Sequence, residues 1–196
     1  MAYIEVGVSD KRYPGIIGSV DTQPRTGRLL SELADALLRA PHTPTAGERE
    51  LIAAYESGMN ECRFCCSSHS LIAAAQIDEA MRLAERVRVD VDDAPISEKL
   101  RSLLRIAGAV QKSGRAVSLE MVAVARLEGA TDLEIHDTVL IAAAFRICNR
   151  YVDGPGTFAA DDPFAYAQKA QQIVEKDARN RLPDAARQSA TFVARE

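Results

Sequence analysis

Between Glu50 and His69 the chain reads ELIAAYESGMNECRFCCSSH, and this stretch holds three of its four cysteines and one of its three histidines. On a helix Cys62, Cys65, Cys66 and His69 fall at i, i+3, i+4 and i+7, so their side chains are expected along one face. The stripe continues through Ile72, Ala73 and Gln76, whose far end should pack inside. The thiolate rather than the thiol is the nucleophile, and a cysteine near a helix N-terminus ionises more readily because unpaired amides and the helix dipole favour negative charge. A Cys-x-x-Cys pair so placed can close a disulfide over one turn. His69, one turn beyond Cys65, could exchange a proton with the thiols directly or through water. Glu50, from a preceding helix, could hold that imidazole or a bridging water. On the dipole argument alone, Cys62 would be the nucleophile.

The same residues admit other chemistry. Cys62, Cys65 and His69 could supply three ligands to a metal, with Cys66 or a neighbouring subunit giving the fourth. There is no second Cys-x-x-Cys and no paired histidine, so redox chemistry is preferred over a metal site or an inert buried pair. Cys66 reads as a small packing residue that could also compete as a resolving thiol. Cys148 reads as core. Asn149 and Arg150 could line the site from the second hairpin, but read first as a helix-end pair that caps and solvates, and His42 and His136 receive no role. Phe64, Tyr151 and Phe158 could either line or seal a pocket.

The elements that must position these groups are helical. The 196 residues suffice for one domain with a full core. The composition is rich in Ala, Leu, Ile and Val, with no Trp, which favours packed helices over a β-sandwich. The expected fold class is all-α. A net charge of −4 without a basic cluster argues against nucleic acid. No basic n-region with an apolar run opens the chain and no segment reaches membrane-span length, so a cytoplasmic protein without a membrane partner is expected. In that compartment a Cys-x-x-Cys is redox-active or metal-binding more often than structural.

In order, residues 1–26 read as an extended arm, punctuated by Gly7, Pro14, Gly15, Gly18 and Pro24. Gly27 to Arg39 reads as a helix with Leu29, Leu30, Leu33, Leu37 and Leu38 on a core face or an oligomer contact, stopped by Pro41 and Pro44. Thr45 and Glu48 form a capping box for a helix to about Ser57, ended by Gly58. Its small-residue face, Glu50, Ala53, Ala54 and Ser57, should admit the cysteine helix closely, with Asn60 as that helix's N-cap. Asp78 can cap a short helix to about Arg86, and residues 88–95 read as a linker. Ser97 caps the next helix, closed by Gly114; Ser118 opens another, with Gly129 after it. Thr131 and Glu134 repeat the capping box before a long helix that ends near Asn149 and Gly154. This gives two related helix hairpins, with a core over residues 45–154 and a C-terminal helix and tail over 164–196. The run LIAA followed by Asn occurs at Leu51 with Asn60 and again at Leu140 with Asn149, although LIAA also occurs at Leu71.

The pattern Glu50, eleven residues, Cys62, two, Cys65, three, His69 resembles the motif of the alkylhydroperoxidase D group (AhpD-like) of the carboxymuconolactone decarboxylase superfamily. The phrases ERELIA and FRICNRYVDG resemble its peroxidase-related subgroup, and the likeness runs from about Thr45 to Gly154. It implies an all-helical homo-oligomer (dimer, trimer or hexamer) that needs no cofactor and reduces peroxides or disulfides with an external thiol reductant. Carried over, Cys65 becomes the sulfur oxidised to sulfenic acid, and Cys62 the proton donor that closes the disulfide. Glu50 and His69 become the proton relay. Where related enzymes carry a His before the second cysteine, this chain has Phe64. The superfamily also offers a lactone decarboxylase or small-acid enzyme that dispenses with cysteines, and a non-enzymatic thiol sensor is the third reading.

Overall fold

The computed structural model describes residues 2–4, 15, 24–41, 43–77, 80–162 and 164–180. These residues form eight α-helices and no strand: α1 (Pro24–Arg39), α2 (Ala46–Met59), α3 (Arg63–Ala74), α4 (Ala80–Val89), α5 (Glu98–Lys112), α6 (Leu119–Leu127), α7 (Asp132–Asp153) and α8 (Ala167–Asn180). One 3-10 turn, Gly114–Ala116, joins α5 to α6. The expected all-α class is what the structure has.

The centre is α2. It begins with the capping box read from the sequence: the Glu48 amide donates to Thr45 Oγ1 at 3.2 Å and the Thr45 amide to Glu48 Oε2 at 2.7 Å. Almost every side chain from Ala46 to Ser57 is buried, because α1, α3, α4, α5 and α7 all pack around it. Its buried side chains are not only apolar: Arg49, Glu50, Glu56 and Ser57 are buried beside Leu51 and Ile52. Leu51, Ile52, Leu104, Ile141 and Phe145 form the main core with Leu38 of α1. A second cluster of Leu103, Ile106, Ala125 and Ile135 ties α5, α6 and α7 together.

The second capping box also holds. Glu134 donates its amide to Thr131 Oγ1 at 3.2 Å and accepts the Thr131 amide at 2.7 Å, and Lys99 reaches the same carboxylate at 2.8 Å. From that start α7 runs 22 residues. It therefore continues past Asn149, which lies inside the helix and fully buried. The reading of Asn149 as a solvated helix end is corrected, because the next cap is Gly154.

Other boundaries shift for local reasons. α1 starts at Pro24, inside the stretch read as an arm, since proline is well suited to the first helical turn. Of its leucine stripe only Leu37 and Leu38 are buried, while Leu29 is 58% and Leu33 37% exposed. α2 runs past Ser57 and through Gly58 to Met59, and Asn60 is its C-cap rather than the N-cap of α3. α4 extends to Val89, and Asp78, read as its cap, lies outside the described residues, as does His42. α8 starts at Ala167, and the expected tail from Pro183 also lies outside them. Of the N-terminal arm, the described pieces lie against the segment after α7: the Tyr3 amide donates to the Pro155 carbonyl at 2.7 Å and the Gly15 amide to that of Phe158 at 3.0 Å. Gly15 has φ +60°, and a Cβ there would stand 2.3 Å from the Phe64 ring, so only glycine fits.

Candidate active site

The geometry of the thiols is set by the turn between α2 and α3. Glu61 adopts a left-handed φ of 60°, and the Cys62 amide donates back to the Ser57 carbonyl at 2.9 Å. Cys62 is thereby the N-cap of α3, with extended backbone and no side-chain cap bond. Its carbonyl accepts the Cys66 amide at 3.0 Å. The four side chains of the stripe fall into two groups, each spaced i, i+4. Cys62 and Cys66, with Ser70, line a cleft of about 670 Å³ whose walls include Arg63, Arg88 and Phe164. Cys65 and His69 are turned toward α7, where Cys65 packs with Val152 and the Phe145 ring meets His69 edge-on at 4.6 Å between centroids.

Cys62 and Cys65 nevertheless lie near each other, in one buried cluster with Phe64 and Val152. Cys62 and burial hold the Cys65 thiol well above the usual thiol range, while Asn149 pulls it down. Burial pushes Cys66 up, opposed by Arg88 and Ser70. Burial takes Cys148 up to about 11.

Glu50 and His69 also come together. His69 Nδ1 lies 2.6 Å from Glu50 Oε2, and Arg39 of α1 donates to Oε1. Arg39 in turn pairs with Asp177 of α8 at 3.0 Å. Burial pushes the Glu50 carboxyl up, but His69 and Arg39 together outweigh it and hold the group below its ordinary value. With Nδ1 engaged, Nε2 is the nitrogen of His69 left to exchange a proton.

With this geometry in view, the chain can be compared with solved structures. It matches a peroxidase-related protein from Ralstonia eutropha JMP134, an alkylhydroperoxidase AhpD core, at a TM-score of 0.71 and 25% identity, over 84% of this chain and 93% of that one. The chain has an AhpD-like fold. A peroxidase-related protein from Silicibacter sp. TM1040 agrees in fold at a TM-score of 0.69, with 20% identity over 78% of this chain and 79% of that one. No family model matches the chain, and no curated protein matches it significantly. Among the described residues no helix is long and apolar enough to cross a membrane.

Within this AhpD-like frame, four residues near the thiols and the Glu50–His69 pair carried no signal in the motif: Arg39, which engages Glu50; Asp153, whose carboxylate lies against Cys62; Ser57; and Asn149. Ser57 had a sequence signal as part of the small-residue face toward the cysteine helix, and Asn149 as the asparagine nine residues after Leu140 of a LIAA run. The Asp153 carboxyl is raised by burial and lowered by Cys62 and Arg150.

Proposed function

We propose that this chain is a cofactor-free thiol peroxidase of the alkylhydroperoxidase kind, cycling Cys62 and Cys65 between dithiol and disulfide. The observation that carries the reading is the nearness of the two cysteines at the start of α3, in one buried cluster, with Cys62 on the wall of a cleft large enough for a small organic substrate. The structural likeness to peroxidase-related proteins agrees with it.

In the cycle, the Cys65 thiolate attacks the distal peroxide oxygen. The O–O bond breaks, Cys65 becomes a sulfenic acid, and the alkoxide leaves and takes up a proton. Cys62 then attacks the Cys65 sulfur, forming the disulfide and releasing water. Two equivalents of an external thiol restore the dithiol. Asp153 can accept the Cys62 proton, and the Glu50–His69 pair supplies the relay proton through Nε2. The same likeness implies a homo-oligomer. Light scattering checks this, and a monodisperse species of 21.3 kDa would remove it.

The deciding experiment treats the fully reduced chain with one equivalent of cumene hydroperoxide and maps it without reduction. Trypsin cuts after Arg63, so a Cys62–Cys65 bond appears as a cross-linked peptide pair. Cys62→Ser should leave a dimedone-reactive sulfenic acid on Cys65. Thiols that stay reduced for hours would sink the reading.

A further inference from the structure

We propose that the cleft between α3 and α4 binds an organic carboxylate, its anionic group on Arg88 beside Cys66 and its apolar body against Phe164. The inference rests on the dithiol reading of the site and names the class of molecule the site takes, whether as peroxide or as thiol.

At about 670 Å³ the cleft has the size of a small-molecule site. One wall is the face of α3 that carries Cys62, Cys66 and Ser70, and α4 supplies another with Arg82, Glu85 and Arg88. Phe164, from the segment before α8, also lines the cleft and is 59% exposed. A ring left this open on a concave wall offers an apolar partner to a bound molecule.

The charges on these walls are not equivalent. Arg63 is met by Asp161 at 2.6 Å, and Arg82 has an interaction of its own. Glu61 and Glu85 share the cleft with Arg88, yet among the described residues Arg88 makes no ion pair with either. Its stem is seated all the same. A Cβ on Gly58 would stand 2.7 Å from Arg88 Cδ and 3.3 Å from Cγ, so the arginine lies across the end of α2 only because residue 58 has no side chain. That same point is 3.6 Å from Cys66 Sγ, which puts the stem of Arg88 alongside the thiol. Packing of the stem removes part of the freedom that binding would otherwise cost, and the planar guanidinium matches a carboxylate with two parallel bonds. The start of α3 adds positive partial charge, because Cys62 makes no side-chain cap bond there. With one arginine open and two glutamates on the walls, a singly charged carboxylate is favoured over a doubly charged phosphate.

Binding is read on the reduced chain without turnover, through the rate at which iodoacetamide alkylates Cys66, located by tandem mass spectrometry. 3-Phenylpropionate should protect Cys66 saturably, and 3-phenylpropanol, which lacks the charge, should protect about fivefold less well, the scale of one partly exposed charged pair. Arg88→Gln should abolish that difference, Arg88→Lys should keep part of it, and Phe164→Ala should weaken both ligands. Arg88 and Phe164 are exposed, so none of these changes removes a core contact. Equal protection by acid and alcohol, or protection unaltered in Arg88→Gln, would overturn the assignment and leave Arg88 as a cover for Gly58. Turnover then separates the two sources of the carboxylate. A lower KM for cumene hydroperoxide bearing a ring carboxylate than for the parent compound, lost in Arg88→Gln, places it on the peroxide. The same preference for 3-mercaptopropionate over 2-mercaptoethanol places it on the reductant. A preference in neither series would overturn the link between this cleft and the reaction. Protection by 3-phenylpropionate in a chain that turns over no peroxide would sink the peroxidase reading alone, and turnover without protection would sink this inference alone.

Discussion

Asn60 and Asn149, 89 residues apart, hydrogen-bond to each other at 2.9 Å in the centre of the molecule. They are the two asparagines that follow the LIAA runs of α2 and α7, and their pairing clamps the end of α2 to the last turns of α7. Asn60→Ala would leave the Asn149 oxygen buried without a donor and deprive Arg146 and Gln111 of an acceptor. The expected loss is about 2 kcal/mol, within the range for a stranded buried polar group. Urea unfolding measures it, and a change under about 0.5 kcal/mol would mean that the pair contributes nothing net.

Glu56 is fully buried with both carboxylate oxygens unpartnered. Burial pushes its pKa up to about 8 against an ordinary 4.5, although Arg146 pulls it down. Below pH 4.5 both folded and unfolded chains hold this proton. Between 4.5 and about 8 only the unfolded chain loses it, so stability should fall as pH rises, and above 8 the slope should vanish. At ~1.4 kcal/mol per unit the decline is on the order of 5 kcal/mol. Glu56→Gln should abolish the slope and stabilise the protein at pH 7. Urea midpoints from pH 4 to 9 decide, and a flat wild-type profile would show that Glu56 is ionised in the fold.

Glu50 acts with the opposite sign. His69 and Arg39 hold it below 4.5 in the fold, so its stabilisation is present above pH 4.5 and is lost as pH falls through the folded value. Glu50→Gln should flatten the acid limb below pH 4.5. Because Arg39 keeps Asp177, the stability loss at pH 7 should be about 2 kcal/mol rather than the larger figure for stranding a buried charge. Peroxide turnover should drop at least tenfold. Turnover at the wild-type rate would remove Glu50 from the relay.

Gly58 lies inside α2, where alanine would ordinarily gain about 1 kcal/mol. A Cβ there would stand 2.7 Å from Arg88 Cδ and 3.6 Å from Cys66 Sγ. The exposed Arg88 side chain can swing away, so Gly58→Ala should change stability by less than ~1 kcal/mol. Displacing that cation should nevertheless remove one influence that lowers the Cys66 pKa. Cys66 alkylation at pH 8 should slow several-fold, measured by peptide mapping. An unchanged rate would show that Arg88 does not bear on this thiol.

Much of the helical frame was legible in the sequence, because the signals that made it are local. Thr45 with Glu48, Thr131 with Glu134, Ser97 and Ser118 each cap their own helix within three residues. Such bonds need no tertiary partner, so they could be read before any fold was known. The spacing of Cys62, Cys65 and His69 behind Glu50 was equally a property of the chain. What it could not give was the environment of those groups. A left-handed Glu61 moves Cys62 out of the helix to its cap, where it lines the cleft and also packs against Val152 of α7. Leu29 looks the same in sequence as Leu38, yet one is exposed and the other buried, since only the second half of α1 reaches α2. The partners of Asn149, Glu50 and Cys62 come from α2, α1 and α7, far away along the chain. Sequence fixes which groups are present and how far apart they lie along a helix. Which donor or charge faces a thiol depends on how separate helices pack, and that is set by the burial of the whole core rather than by any local signal.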